Sequence, residues 1–84
     1  MILHIEHVTV PEPFHLTLRF DDGEERTVDV EPLLKGPIFE PLLDPDYFAL
    51  VSIDPTCKTV TWPNGADFAP EALRSLPAVT MPDA

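Results

Sequence analysis

Eighty-four residues make a chain of one domain, with too little length for a second core. Fifteen Asp and Glu against five Lys and Arg leave a net charge of −10. Arg19, Arg26, Lys35, Lys58 and Arg74 are too few and too scattered to neutralise phosphates, so direct nucleic-acid binding is excluded and anionic membranes are disfavoured.

Ile2 to Val10 reads as a first strand, imperfectly alternating, and Pro11 and Pro13 end it. Phe14, Leu16, Leu18 and Phe20 then alternate with His15, Thr17 and Arg19, which predicts a strand with one buried face. Asp22-Gly23 sits between this run and Glu25 to Val30, the pattern of a hairpin. From Glu31 to Phe48 apolar residues recur at mixed three- and four-residue steps, broken by Pro32, Pro37, Pro41 and Pro45. A proline inside a helix removes a hydrogen bond and clashes with the preceding turn, so only short helical turns fit here. Pro32 is expected to open one, Pro37 to open Ile38 to Leu43, and Asp44 to cap Pro45 to Phe48.

Ala49 to Asp54 and Thr59 to Trp62 predict a second hairpin across Pro55 to Lys58. Pro63-Asn64-Gly65 supplies a tight turn after it, with Asn64 and Asp67 expected to hydrogen-bond the bend. Pro70 suits a first helical position and starts a helix to Leu76, which Pro77 stops. The reading is an α+β domain over residues 1–77: five strands in one mostly antiparallel sheet, in β-β-β-α-β-β-α order with short helices. Residues 78–84 are expected to form a flexible tail.

Candidate chemistry is sparse. His4, His7 and His15 are the natural metal ligands, and a His7–His15 cross-strand pair would bring two of them together. Zinc wants three or four convergent ligands, however, and Cys57 has no partner at ligand spacing. The lone Cys57 also rules out an internal disulfide, and with no signal peptide or apolar run of ~20 residues the expected compartment is the cytoplasm. No phosphate-cradling glycine loop is present. The expectation is therefore no enzyme, no cofactor and no metal. Trp62 with Asp67 at the last turn, and Asp21, Asp22, Glu24 and Glu25 at the first hairpin tip, are the candidate partner-binding residues.

The landmarks Leu18-Arg19-Phe20-Asp21-Asp22-Gly23, Val28-Asp29-Val30, Phe39…Leu42, Phe48 and Trp62-Pro63-Asn64-Gly65-Ala66-Asp67-Phe68-Ala69-Pro70-Glu71 resemble a bacterial domain-of-unknown-function family numbered twenty-four forty-two. The resemblance runs from about His7 to Leu73. It implies a small α+β domain without established catalytic residues, often encoded beside a second small gene in arrangements that suggest toxin–antitoxin pairing. Many relatives carry Tyr after the Leu of the final helix, where this chain has Arg74. The expectation is a non-catalytic protein-interaction module, the acidic antitoxin-like partner of a small basic, co-encoded protein. A free sheet edge, the Pro-flanked first or the last strand, is expected to pair with that partner by strand addition, and a homodimer through the same edge is the fallback. The alternative is a small ligand- or metal-binding domain, or an enzyme, using the histidines and acids.

Overall fold

The alternation that begins at Phe14 governs the largest sheet of the computed structural model, which describes residues 3–79. Strands β1 (Ile5–Thr9), β2 (His15–Phe20) and β3 (Glu25–Asp29) form an antiparallel meander with β2 in the centre. Leu16, Leu18 and Phe20 of β2 and Val28 of β3 are fully buried, whereas Thr17 and Thr27 meet across the opposite face with hydroxyls 2.8 Å apart. Phe14 itself stays outside β2. Its φ of 67° is left-handed, a conformation that L-residues with large side chains rarely adopt, so the strand starts one residue later than the pattern predicts.

Two short 3-10 turns follow, Glu31–Leu33 and Glu40–Leu43, and then helix α1 (Pro45–Phe48). Pro32 lies in the first turn and Asp44 caps α1 by accepting from Asp46 N–H at 3.0 Å, both as expected. The middle turn departs from expectation: it is opened by Pro41, not Pro37, because Gly36 takes φ 94° and bends the chain before Phe39. Strands β4 (Ser52–Ile53) and β5 (Val60–Thr61) pair antiparallel, and helix α2 (Pro70–Arg74) closes the described chain.

The single five-stranded sheet expected from the sequence is therefore corrected to two sheets, of three and two strands. The reason lies in strand length. β4 and β5 offer two residues each, and the backbone bond that ties their hairpin to the first sheet runs from Ile5 N–H to Lys58 O at 2.8 Å. Beyond Ile5 a bulge shifts the β1 register, which deflects the strand from any longer pairing.

Side chains complete the join. Phe48, Trp62 and Phe68 form a chain of tilted and edge-on aromatic contacts with ring centroids 5.6 and 5.7 Å apart. Phe39 stacks on Phe68 at 5.0 Å and Phe14 meets Phe48 edge-on at 5.6 Å. This cluster draws residues of the first sheet, the proline-rich middle and the second hairpin into one core with Ile5, Leu42, Val60 and Leu73. Trp62 is 3% exposed, and its indole N–H donates to Phe48 O at 2.9 Å.

The β2–β3 turn and the turn that follows β5 use one device. Phe20 N–H donates to Glu24 O and Trp62 N–H to Ala66 O, while Gly23 and Gly65 N–H groups donate back to Phe20 O and Trp62 O. Gly23 (φ 91°) and Gly65 (φ 89°) occupy the left-handed position that this five-residue frame requires. The second turn accordingly needs positive φ at Gly65 only. Asn64 steadies it as expected, through Oδ1 accepting from Ala66 N–H at 3.0 Å, whereas Asp67 stands across from Thr61 in a β-bridge.

Replacing Trp62 by Phe keeps an aromatic ring but removes the shorter of two bonds to the Phe48 carbonyl, which then keeps only Val51 N–H at 3.3 Å. Loss of about 0.5–1.5 kcal/mol is expected from one such bond, read as a lower urea midpoint by far-UV circular dichroism. An unchanged midpoint would show that this bond does not hold the second hairpin.

Candidate functional site

Charge distribution, rather than a constellation of reactive groups, dominates this surface. Two of the four acids at the first hairpin tip, Asp22 and Glu24, are paired with arginines. Arg74 at the end of α2 reaches back with Nη2 2.9 Å from Asp22 Oδ2 and 2.8 Å from Glu24 Oε1. Arg26 on β3 donates from Nε to Glu24 Oε2 at 2.7 Å, and from Nη1 to the carbonyls of Arg74 and Leu76 at 3.0 and 2.6 Å. The Arg74 guanidinium lies over the Phe20 ring, 4.9 Å from its centroid. Its Nη1 is buried with no acceptor among the described residues.

These contacts make Asp22 and Glu24 a clamp on α2, a helix of five residues with no side-chain N-cap of its own. The Arg74 hydrogen bond, helped by the Glu24 N–H, holds the Asp22 carboxyl below the usual carboxylate range, and Arg74 is raised in turn. Asp54 is also lowered, by the N–H groups of Cys57 and Thr56 that its side chain accepts.

The other predicted residues are dispersed. Asp21 is exposed beside His4, its Oδ2 3.3 Å from Nδ1. Glu25 is exposed and lies across from Arg19 in the strand register. Asp67 is exposed and bridges to Thr61, whereas Trp62 belongs to the core. The six are thus not one patch: Glu25 and Asp67 are exposed carboxylates with no salt bridge among the described residues, Asp21 lies beside His4, Asp22 and Glu24 form the clamp and Trp62 is interior. Sequence spacing gave no hint of the clamp, because Arg74 and Asp22 are 52 residues apart.

The histidines do not converge. β1 pairs His7 with Arg19 and Thr9 with Thr17, so the suggested His7–His15 pair does not form. His15 instead points Nδ1 at Pro13 O, 3.0 Å away, beside Glu12. Among the described residues no group of three or more His, Cys, Asp or Glu is arranged to hold a metal ion. No helix among them is long and apolar enough to cross a membrane.

Two features of β1 bear on recognition, the first of them unforeseen in the sequence and the second one of the two free edges expected there. An open cleft of about 510 Å³ lies where β1 meets the second hairpin, lined by His4, Ile5, Glu6, Asp21, Ile53, Pro55 and Lys58. Its rim includes Lys58, whose φ of 57° is left-handed and whose N–H and C=O are both bound, to Asp54 O and Ile5 N–H. The second feature is the outer edge of β1 beyond Ile5, where no backbone bond to another segment occurs among the described residues. The opposite edge of the sheet is different. Val79, assigned to the tail by sequence, donates its N–H to Thr27 O on β3 at 2.7 Å, while residues 80–84 of that tail lie outside the described residues.

Asp22 and Asp54 have folded values depressed below those of the unfolded chain. Each therefore contributes stability that is present above the ordinary carboxylate range and is lost as pH falls through its folded midpoint. Carboxyl-carbon NMR titration should place both midpoints below that of Asp in a short peptide. Arg74→Ala should raise the Asp22 midpoint and leave Asp54 unchanged; an Asp22 midpoint indifferent to Arg74 would refute the clamp.

No curated protein and no solved structure matches the chain. Residues 5–76 match the family described as protein of unknown function (DUF2442), and at that coverage the chain belongs to this family.

Proposed function

We propose that this domain is a non-catalytic protein-interaction module of the cytoplasm, the acidic antitoxin-like partner of a small basic, co-encoded protein. The observation that carries the reading is the surplus of unspent carboxylates. Two of the five Lys and Arg residues, Arg26 and Arg74, are consumed by Asp22 and Glu24. Glu6, Glu31, Glu40, Asp46, Asp67 and Glu71 remain exposed with no salt-bridge partner among the described residues. A field of that sign speeds encounter with a basic partner and repels acidic ones. The toxin–antitoxin setting is suggested by the family resemblance, and the acidity is compatible with it.

The open cleft supports a second reading, a small ligand held between His4, Asp21, Glu6 and Lys58. Its volume falls within the range of about 300–1,000 Å³ typical of ligand sites.

Co-expression with the product of the adjacent reading frame separates the two. The interaction reading expects a basic protein that co-purifies at low salt and is released above about 0.5 M salt, where the screening length shrinks to a few ångströms. An acidic neighbour, or none that binds, would overturn it. The ligand reading instead expects zinc or a common metabolite to raise the melting temperature of the isolated chain.

A further inference from the structure

We propose that the outer edge of β1 around Val8 is a strand-addition site for an extended, cationic segment of a partner protein. This rests on the interaction reading above and gives it a surface and a partner chemistry.

Hydrogen-bond phase fixes which backbone groups face outward. In an antiparallel ladder the N–H and C=O of one residue point to the same side, and successive residues alternate. Even-numbered residues of β2 face β3, because Phe20 N–H bonds Glu24 O and Phe14 O accepts from Val30 N–H. Odd-numbered residues of β2 therefore face β1, and Asp21 N–H bonding His4 O continues that phase. Thr17 and Arg19 then bond their register partners Thr9 and His7, and Leu18 stands opposite Val8 without a bond. Val8, and by continuation Val10, must turn N–H and C=O away from the sheet. The same rule turns Thr27 of β3 outward, which is where Val79 N–H is received.

The two edges are thus unequal. The chain's own Val79 takes the outward carbonyl of β3, and Lys58 O takes the outward N–H of Ile5. Among the described residues, nothing gives the β1 edge between Ile5 and Pro11 such cover. A stretch of about five residues, roughly 17 Å, is open to a visiting strand. The bulge at Ile5–His7 and the Lys58 carbonyl stop pairing at one end, and Pro11 stops it at the other.

Side chains along the open stretch define the visitor. Val8 and Val10 are half-buried and pack against the core, so an apolar, preferably β-branched residue fits beside them. Exposed carboxylates stand at both ends, Glu6 at the bulge and Glu12 beyond Pro11. A segment alternating Lys or Arg with Val or Ile satisfies both demands. A second copy of this chain meets the hydrogen-bonding demand but brings a further −10.

The test uses the full chain and a probe, the acetylated and amidated heptapeptide Lys-Val-Lys-Val-Lys-Val-Lys. Its control carries Pro in place of the central Val, with the same charge but no central N–H. Expected are saturable amide shifts and slowed hydrogen exchange at Val8 and Val10 with the first peptide and not the second. Val8→Pro in the protein, which removes one outward N–H, should weaken binding about tenfold. Equal shifts from both peptides, or protection centred on β3, would overturn the site even if Val8→Pro failed to fold. Because the probe needs no natural partner, a missing co-encoded protein leaves the edge assignment standing. A natural partner that binds Val8→Pro as tightly as the parent chain would refute the edge and spare the interaction reading.

Discussion

The contact between the Trp62 indole and the Phe48 carbonyl, with the aromatic rings around it, is what makes one core out of two small sheets. Neither β4 nor β5 is long enough to extend the first sheet, and a two-stranded hairpin is marginal alone in water. The hairpin is instead held by what it buries. Trp62, Val60 and Phe68 sit against Phe48 and Phe39, which come from the proline-punctuated middle of the chain. That middle segment has only helical turns of three or four residues, and the same rings fix two of its side chains, Phe39 and Phe48, in the core cluster. Tertiary packing here does what ladder hydrogen bonds do in the first sheet.

Electrostatics divides the surface along similar lines. A strongly acidic chain has few cations to place, and two of its arginines are committed to holding α2 against the β2–β3 hairpin. This choice spends Asp22 and Glu24, two of the four hairpin-tip acids, on internal structure. It leaves the negative surplus elsewhere, on the bulge, the 3-10 turns and the exposed side of α2. Candidate recognition therefore shifts from the clamp to the β1 margin of the sheet, where an open cleft that includes Asp21 adjoins an unpaired edge.

Residues with a long, unbroken period were legible in the sequence. β2 and its hairpin, the Asp44 cap and the helix opened by Pro70 all appear within a residue or two of their expected places. What escaped was set by distant partners. Whether β4 and β5 join the main sheet depends on a bulge in β1, which alternation does not reveal. The choice of Pro41 over Pro37 depends on the backbone of Gly36. The pairing of Arg74 with Asp22 and Glu24 exists only because α2 folds back over Phe20. The open edge of β1 was undecided for the same reason: only the position of Val79 distinguishes the two margins of the sheet.

The twin turns carry one chemical difference. At the third position of the frame, Asp22 and Asn64 each offer Oδ1 to the N–H two residues on, at 3.1 and 3.0 Å. An aspartate would serve the bend equally well in either place. Only the carboxamide has a proton left over, and Asn64 Nδ2 gives it to Ile38 O at 2.9 Å, 26 residues away. The first loop thus offers its spare oxygen to a cation, while the second moors a wandering stretch of main chain, and exchanging the two letters would unfasten both.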